Sequence, residues 1–428
     1  MISSAGHDAD FDTTLARNRT LSGHAMDLHQ VESVVCQMSG DVVSSAMLAQ
    51  RPHYFASTSV MLSDVEISAM FEQITAIEKV IQQAEFVDVA AGRSEPLMCA
   101  VQPATQGVFM AYDFHLTPQG PRLIEINSNG GGAYIVNALE YAAGLSSGGA
   151  ERAMFEMFMQ EWTLAGRRGT PQTVAIVDDN PTQQFHFPDM CLAAASLARE
   201  GLQVQIVDAC ELFFQQGRLR ANGVAIDLVY NRLTDFALSH GHHAVLRSAL
   251  LDDAVVVTPA PRHHALYADK RNLTLLSDQE VLASWGVAKV LRQTLTQLPQ
   301  SVIVTPDNAD ELWAARRAYF FKPHAGFGGR GAFRGAKLTR KTWQHITQSG
   351  YVAQAFVAPP LRRITCAAEP VLLKYDIRVY TYGAKPLLLA ARLYQGQTTN
   401  LQTDYGGLAP VQILESHPMA FPGRHPGA

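Results

Sequence analysis

The residues best able to do chemistry lie in "YDFHLTPQGPRLIEINSNGGG", residues 112–132. Asp113, Glu125 and Asn127 are oxygen donors of the kind Mg²⁺ takes, usually while bridging carboxylates to substrate phosphates. Glu125 and Asn127, two apart on a strand, share a face, and Asp113 on the partner strand can meet them across a hairpin. An apolar strand face seldom carries Glu and Asn for packing. The pattern reads as a cradle for two Mg²⁺ ions and a phosphate chain. Asn129, Gly130, Gly131 and Gly132 follow it. A solvated hairpin with acidic decoration is the rival reading.

A second stretch, "FFKPHAGFGGRGAFRG", has a strand that delivers Lys322 into the loop Gly326, Phe327, Gly328, Gly329, Arg330 and Gly331. Glycines let backbone N–H groups approach phosphate oxygens, and a lysine neutralises their charge. No Gly-Lys-Ser/Thr follows, so this is not a P-loop, and no ribose-binding acid sits in a following βα unit as a dinucleotide fold would require. A tight surface hairpin is the alternative. In "YADKRNLTLLSD", Lys270 stands at a helix start, where phosphate is favoured. "KYDIRVYTYG" puts Asp376 and Arg378 on one strand face, and "ARLYQGQTTNLQTDYGG" adds Arg392, Asn400 and the pair Gly406-Gly407. Arginine stabilises charge on a transferring phosphoryl group or an acyl phosphate.

These side chains need elements to hold them. The pattern predicts a helix within 29–50 and another over 63–83, N-capped by Ser63 or Asp64. Two strands joined by Thr-Pro-Gln-Gly carry the acidic set. Helices close that unit before a linker at 166–172. "TVAIVDD", "FPDMCLAAASLAREG" and "LQVQIVDA" then make a β-α-β unit. A hairpin and a strand ending at Asn231 and Arg232 follow. A strand end in such a unit suits these two residues to binding a substrate carboxylate. A β-hairpin turns at Gly383, and the Pro/Gly-rich tail 415–428 reads as loose.

Together these stretches resemble the ATP-grasp superfamily, which includes glutathione synthetases, D-alanine–D-alanine ligase and ribosomal-protein glutamate ligases. The resemblance makes Lys270 and Lys322 the two ATP lysines and 326–331 the phosphate loop. It makes Gln354, Ala355, Phe356 and Val357 of "YVAQAFV" the hinge that holds adenine. Arg378, Arg392 and Asn400 become the catalytic set, and Asp113, Glu125 and Asn127 the metal ligands. The implied fold is α/β: an ATP-grasp unit of two subdomains with a Rossmann-like domain that usually precedes it. The order departs from the family's, since the metal hairpin stands first, which implies a circular permutation; domain termini that lie close together tolerate one. The implied divisions are 1–165 with the metal hairpin, 172–262 as the substrate domain, 263–414 with the ATP lysines, and the tail. No acid follows "QAFVAPP" to hold the ribose.

The implied activity is an ATP- and Mg²⁺-dependent ligase, with Mn²⁺ as a substitute metal. It would join a small-molecule or peptide carboxylate to an amine, less readily a thiol, through an acyl phosphate, releasing ADP and phosphate. In the ligase that the resemblance implies, Asn129, Gly130, Gly131 and Gly132 could contact the acceptor or the oxyanion. A phosphotransferase on the same fold, or a non-catalytic nucleotide-binding module, stays open. So does a homodimer. The 428 residues allow two or three domains. A net charge of −5 without a basic run argues against a nucleic-acid partner. No apolar run approaches the roughly 18 residues that span a bilayer. Five scattered cysteines and a polar N-terminus fit a cytoplasmic protein. "SHGHHAVLRS" and "PRHHAL" read as a solvated helix start and loop, without metal-ligand spacing.

Overall fold

A computed structural model describes residues 4–21, 25–146, 149–326, 328–365, 370–414 and 421–422. Its central sheet runs Val60–Leu62, Gly407–Ile413, Lys385–Tyr394, Pro370–Tyr382, Met110–Thr117, Gly120–Asn127, with Leu361–Thr365 also on Pro370–Tyr382. Every pairing is antiparallel except that of Val60–Leu62 with Gly407–Ile413. Two-residue turns set the register. Gly383 and Ala384 both take positive φ (53° and 61°), the hairpin geometry that matches strand twist. In the other hairpin Thr117 pairs with Gly120 across Pro118-Gln119.

Helices cover both faces of this sheet. Asp64–Ile81 begins with a capping box in which Ser63 and Glu66 satisfy each other's backbone N–H. Its buried face, including Ile67, Phe71 and Ile74, packs on Phe114, Leu123 and Ile377. On the other face, Ala133–Ala142 and Ala150–Leu164 bring Tyr134, Leu139 and Phe158 against Phe109 and Tyr380. The hairpin from the first third of the chain thus shares one sheet and one core with strands from its last quarter.

A parallel sheet, Val256–Thr258, Leu228–Asn231, Thr173–Asp178, Gln203–Asp208, forms the β-α-β unit, and Phe187–Arg199 is its crossover helix. An antiparallel sheet, Ser301–Ile303, Tyr351–Ala355, Tyr319–Pro323, Phe333–Arg334, presents Lys322. A small sheet, Phe213–Gln215, Arg218–Ala221, Val224–Ala225, completes the set.

Four expectations are corrected. The helix within 29–50 is two helices, Leu28–Met38 and Ser45–Ala49, because Gly40 takes φ 64° and Ser44 caps a new start. The helix beside Lys270 is the short Asn272–Ser277. Within the tail, Phe421 is buried with its ring 5.9 Å from that of Phe71, so this residue is anchored; 415–420 and 423–428 lie outside the described residues. His243, His263 and His264 are buried rather than solvated. For His263 the cause is visible: Ala260 N–H donates to Nδ1 (2.9 Å) and Nε2–H donates to Thr105 O (2.8 Å). Among the described residues, no helix is long and apolar enough to cross a membrane.

Candidate active site

A cleft of about 910 Å³ opens where the three larger sheets meet, room enough for a nucleotide and a second small molecule. Residues from both ends of the chain line it, including Glu125, Asn127, Lys270, Lys322, Arg378 and Arg392. Glu125 pairs directly with Asp113, and Asp113 with Arg378, so these three form a row across the central sheet. Asp376 and Arg392 pair beside them.

A bulge makes the junction with the lysines. The register of the hairpin slips after Asp113: Glu125 faces Asp113 and Leu123 faces Phe114, which leaves Ile124 without a partner across the strand. Its carbonyl instead accepts a 2.6 Å hydrogen bond from Lys322 Nζ, which also donates to Gln354 Oε1 at 2.9 Å. Lys270 Nζ lies 3.0 Å from Glu125 Oε1 and donates to Gly326 O at 2.7 Å. Burial pushes Glu125 up, yet the ammoniums of Lys270 and Lys322 outweigh it and hold the carboxyl below its usual range. Burial lowers Lys322 to about 8, against the pull of Glu125. Two buried ammoniums around one carboxylate carry excess positive charge, which suits a polyanion.

The arginines are held as firmly. Arg378 grips Asp113 bidentately, Nε to Oδ1 at 2.7 Å and Nη2 to Oδ2 at 2.8 Å. Arg392 Nη2 reaches Asp113 Oδ2 at 2.8 Å while its Nε donates to Asp376 Oδ1 at 2.7 Å. Asn127 Nδ2 also donates to Asp113 Oδ2, at 3.0 Å. Burial raises Asp113, but the two guanidiniums prevail and its pKa is lowered. The three oxygen-bearing residues expected to act alike therefore divide. Glu125 and Asn127 line the cleft, whereas Asp113 is 1% exposed and its oxygens are engaged by two arginines and an amide. Because Asn127's nitrogen is anchored to Asp113, its amide oxygen is the atom left for a cation. Glu125 and Asn127 fit Mg²⁺; Asp113 serves as the strut behind them.

The glycine triplet also has a different use from the one expected. Gly130 N–H donates to Phe109 O and Gly132 N–H to Asp189 Oδ2, while Asp189 Oδ1 accepts from Tyr134 and Ile135 at the start of the next helix. Those amides are spent inside the protein, so they cannot serve an oxyanion. Only Gly131 of the three lines the cleft. A Cβ there would stand 2.6 Å from Arg232 Nη2. Asn231 is likewise internal, giving Nδ2–H to Pro259 O and accepting from Leu233 N–H. Arg232 does reach the cleft. It donates to Asn129 and Tyr230, and its buried Nε has no hydrogen-bond partner.

Of the phosphate loop, Gly326, Gly328, Gly329 and Arg330 line the cleft; Gly331 O accepts from Tyr351 OH, and Phe327 lies outside the described residues. Asn400 lines the cleft from the loop after Lys385–Tyr394. Ala355, Phe356 and Val357 form one wall, although the N–H groups of Ala355 and Phe356 already donate to Gln300 O and Ala318 O. Sequence reasoning missed His115 and His186, which carry no motif signal. His115 donates to Val357 O at 2.9 Å and so ties the hairpin to this wall. His186 sits by Arg232 and bonds Tyr54 OH at 3.0 Å. Burial, then Arg232 and the other arginines, depress it to about 3. A base that weak does not take a proton from an amine at neutral pH.

The chain is similar in structure to the glutathione synthetase-like effector GSS30 of Globodera pallida, with TM-score 0.51 and 9% identity over 89% of this chain and 97% of that one. Lesser likenesses are to a putative gamma-glutamylcysteine synthetase of Methylobacillus flagellatus (TM-score 0.47, 8% identity, 81% and 87% covered) and a D-alanyl-alanine synthetase A of Vibrio cholerae (0.33, 11%, 60% and 78%). No family model matches the sequence, and no curated protein matches it. The protein has an α/β ATP-grasp fold. The likeness to GSS30 runs over nearly the whole length of both chains.

Proposed function

We propose that this protein is an ATP-dependent carboxylate–amine ligase of circularly permuted order, in which 1–165 and 263–414 build one nucleotide site and 172–262 holds the substrate. The observation that carries this reading is the convergence of Lys270 and Lys322 on Glu125 and Ile124, beside Arg378 and Arg392. Lys270 and Lys322 neutralise the phosphates of ATP, and loop 326–331 covers them. Glu125 and Asn127 would hold Mg²⁺, which would offset phosphate charge during transfer. Phe356 and its neighbours from Gln354 to Val357 flank the base.

In the first half-reaction a substrate carboxylate oxygen bonds to the γ-phosphorus, and the bond to the β-phosphate oxygen breaks to give ADP. In the second, an amine attacks the acyl carbon, phosphate leaves, and the amine proton passes to solvent or to the leaving phosphate. Arg378 and Arg392, aimed by Asp113 and Asp376, stabilise the charge that develops, with Asn400 closing over it. Arg232, with its unpartnered Nε and with Asn129 beside it, binds a carboxylate of the substrate. Such catalysis is positioning and charge neutralisation rather than acid–base work.

The test is release of ADP and phosphate with Mg²⁺ across a panel of amino acids and small carboxylates, each with and without an amine. Phosphate that appears only when carboxylate and amine are both present supports a ligase. A stable phosphorylated product formed without an amine makes the protein a phosphotransferase.

A further inference from the structure

Outside the cleft, His240, His242 and His243 bring ring nitrogens within 4.8 Å of one another. The ligase reading gives this cluster no work. Its position follows from the chain path after Leu228–Asn231. Asp235 Oδ2 accepts from the His240 backbone N–H at 2.8 Å and Oδ1 from the Ser239 hydroxyl at 3.1 Å, which closes the 235–240 loop. The histidines are thereby delivered to the end of the adjacent strand Thr173–Asp178, where Asp179 waits.

His243 is fully buried between two carboxylates. Its Nδ1 lies 2.7 Å from Asp235 Oδ2 and its Nε2 lies 2.8 Å from Asp179 Oδ1. A neutral imidazole has one N–H, and an ionised carboxylate only accepts. With the N–H given to Asp235, a bare Nε2 lone pair faces a carboxylate oxygen, and something positive must lie between them. His242 Nε2 points to the same place, 3.5 Å from the same Asp179 oxygen, and its ring is 4.1 Å from that of His243. The His240 ring completes the group at 5.4 and 5.5 Å from the other two.

We infer that His240, His242, His243 and Asp179 form a binding site for a divalent transition-metal ion, Zn²⁺ above others, with Asp235 orienting His243 from behind. Imidazole nitrogens with one carboxylate suit zinc and its neighbours rather than Mg²⁺ or Ca²⁺. A carboxylate on the far nitrogen of a ligating histidine is the usual device that fixes its tautomer. Ligand atoms around a tetrahedral zinc at about 2.0–2.1 Å lie roughly 3.3 Å apart. The separations of 2.8 and 3.5 Å from Asp179 bracket that spacing for His243 and His242, and rotation of the His240 ring, which has a nitrogen within 4.8 Å of theirs, would bring in the remaining ligand. The outer rings of His240 and His242 are 62% and 49% exposed and free to turn. The ion would clamp the loop after Asp178 to the loop after Arg232. Asp178 and Arg232 both line the cleft, so the clamp would fix its substrate end.

The test uses the full-length protein, stripped with a chelator and without nucleotide, so the outcome is independent of the ligase assay. Calorimetry with ZnCl₂ should show one tight equivalent, MgCl₂ alone should not compete, and Co²⁺ should give the visible absorption of a tetrahedral nitrogen–oxygen site. His242→Ala and, separately, His240→Ala should each weaken zinc binding at least about tenfold. Both should leave the metal-free melting temperature within a degree or two of the parent, since the rings are largely exposed. Absence of a stoichiometric zinc equivalent, or equal affinity in parent and both variants, overturns the site and leaves a proton shared between His243 and Asp179.

Discussion

Lys322 Nζ donates a 2.6 Å hydrogen bond to the carbonyl of Ile124, a residue 198 positions earlier in the chain. Next to it, Lys270 and Glu125 form an ion pair at 3.0 Å. One nucleotide-sized cleft thus draws its lysines from late in the chain and its acidic hairpin from the first third. The bulge at Ile124 marks the place where they join, since the carbonyl that meets Lys322 belongs to the residue the register skips.

If Glu125 and Asn127 hold the metal, Glu125→Gln and Asn127→Ala should each cut ADP release by more than about 3 kcal/mol of transition-state stabilisation, roughly 150-fold. Circular dichroism should show an unchanged fold. Turnover near the parent's for both variants removes the assignment.

Asp113→Ala should behave differently. It strips the shared partner from two buried guanidiniums, which costs on the order of 3–5 kcal/mol of stability. A clearly lower urea midpoint is expected together with lost activity. An unchanged midpoint would mean that Asp113 is not the strut its geometry describes.

Nucleotide affinity should fall as pH rises through about 8, where free Lys322 loses its proton. Bound phosphates favour the charged form, so binding between pH 8 and 9 should take up a proton and binding at pH 6.5 should not. Calorimetry in buffers of different ionisation enthalpy measures this directly. Lys322→Ala should weaken ATP binding at all pH values and abolish the uptake.

Glu66, buried at the start of Asp64–Ile81, is raised by desolvation from 4.5 to about 8. The folded state therefore holds a proton that the unfolded state releases near pH 4.5. This group's contribution to stability falls as pH climbs from about 4.5 to about 8. Glu66→Gln should flatten that slope, with a larger gain in melting temperature at pH 8 than at pH 5. Equal shifts at both values would refute the buried, protonated carboxyl.

Gly131→Ala places a methyl 2.6 Å from Arg232 Nη2, the far end of a flexible side chain. The fold should survive while KM for the carboxylate substrate rises at least about tenfold, with ATP affinity unchanged. A KM equal to the parent's would take Arg232 out of the substrate site.

The sequence by itself determined the donors and most of the elements that carry them. Period-two strands, a Ser63 cap, the Thr-Pro-Gln-Gly turn and a glycine run after Lys322 are local signals, because turn and cap chemistry acts over a few residues. What each donor touches was decided by tertiary structure. Asp113 and Glu125 are both acids on one hairpin, yet strand pairing set Arg378 against the first, while packing of distant segments set Lys270, before a short helix, and Lys322, on another sheet, beside the second. The same holds for Gly130 and Gly132, whose N–H groups go to Phe109 and Asp189 rather than to a ligand. His243 looked solvated because its run is polar, and only the meeting of two loops buried it between Asp179 and Asp235. Local pattern fixes which groups a segment offers. Long-range register fixes which of them meet, since a carboxylate's role depends on the charges within a few ångströms, and those arrive from elsewhere in the chain.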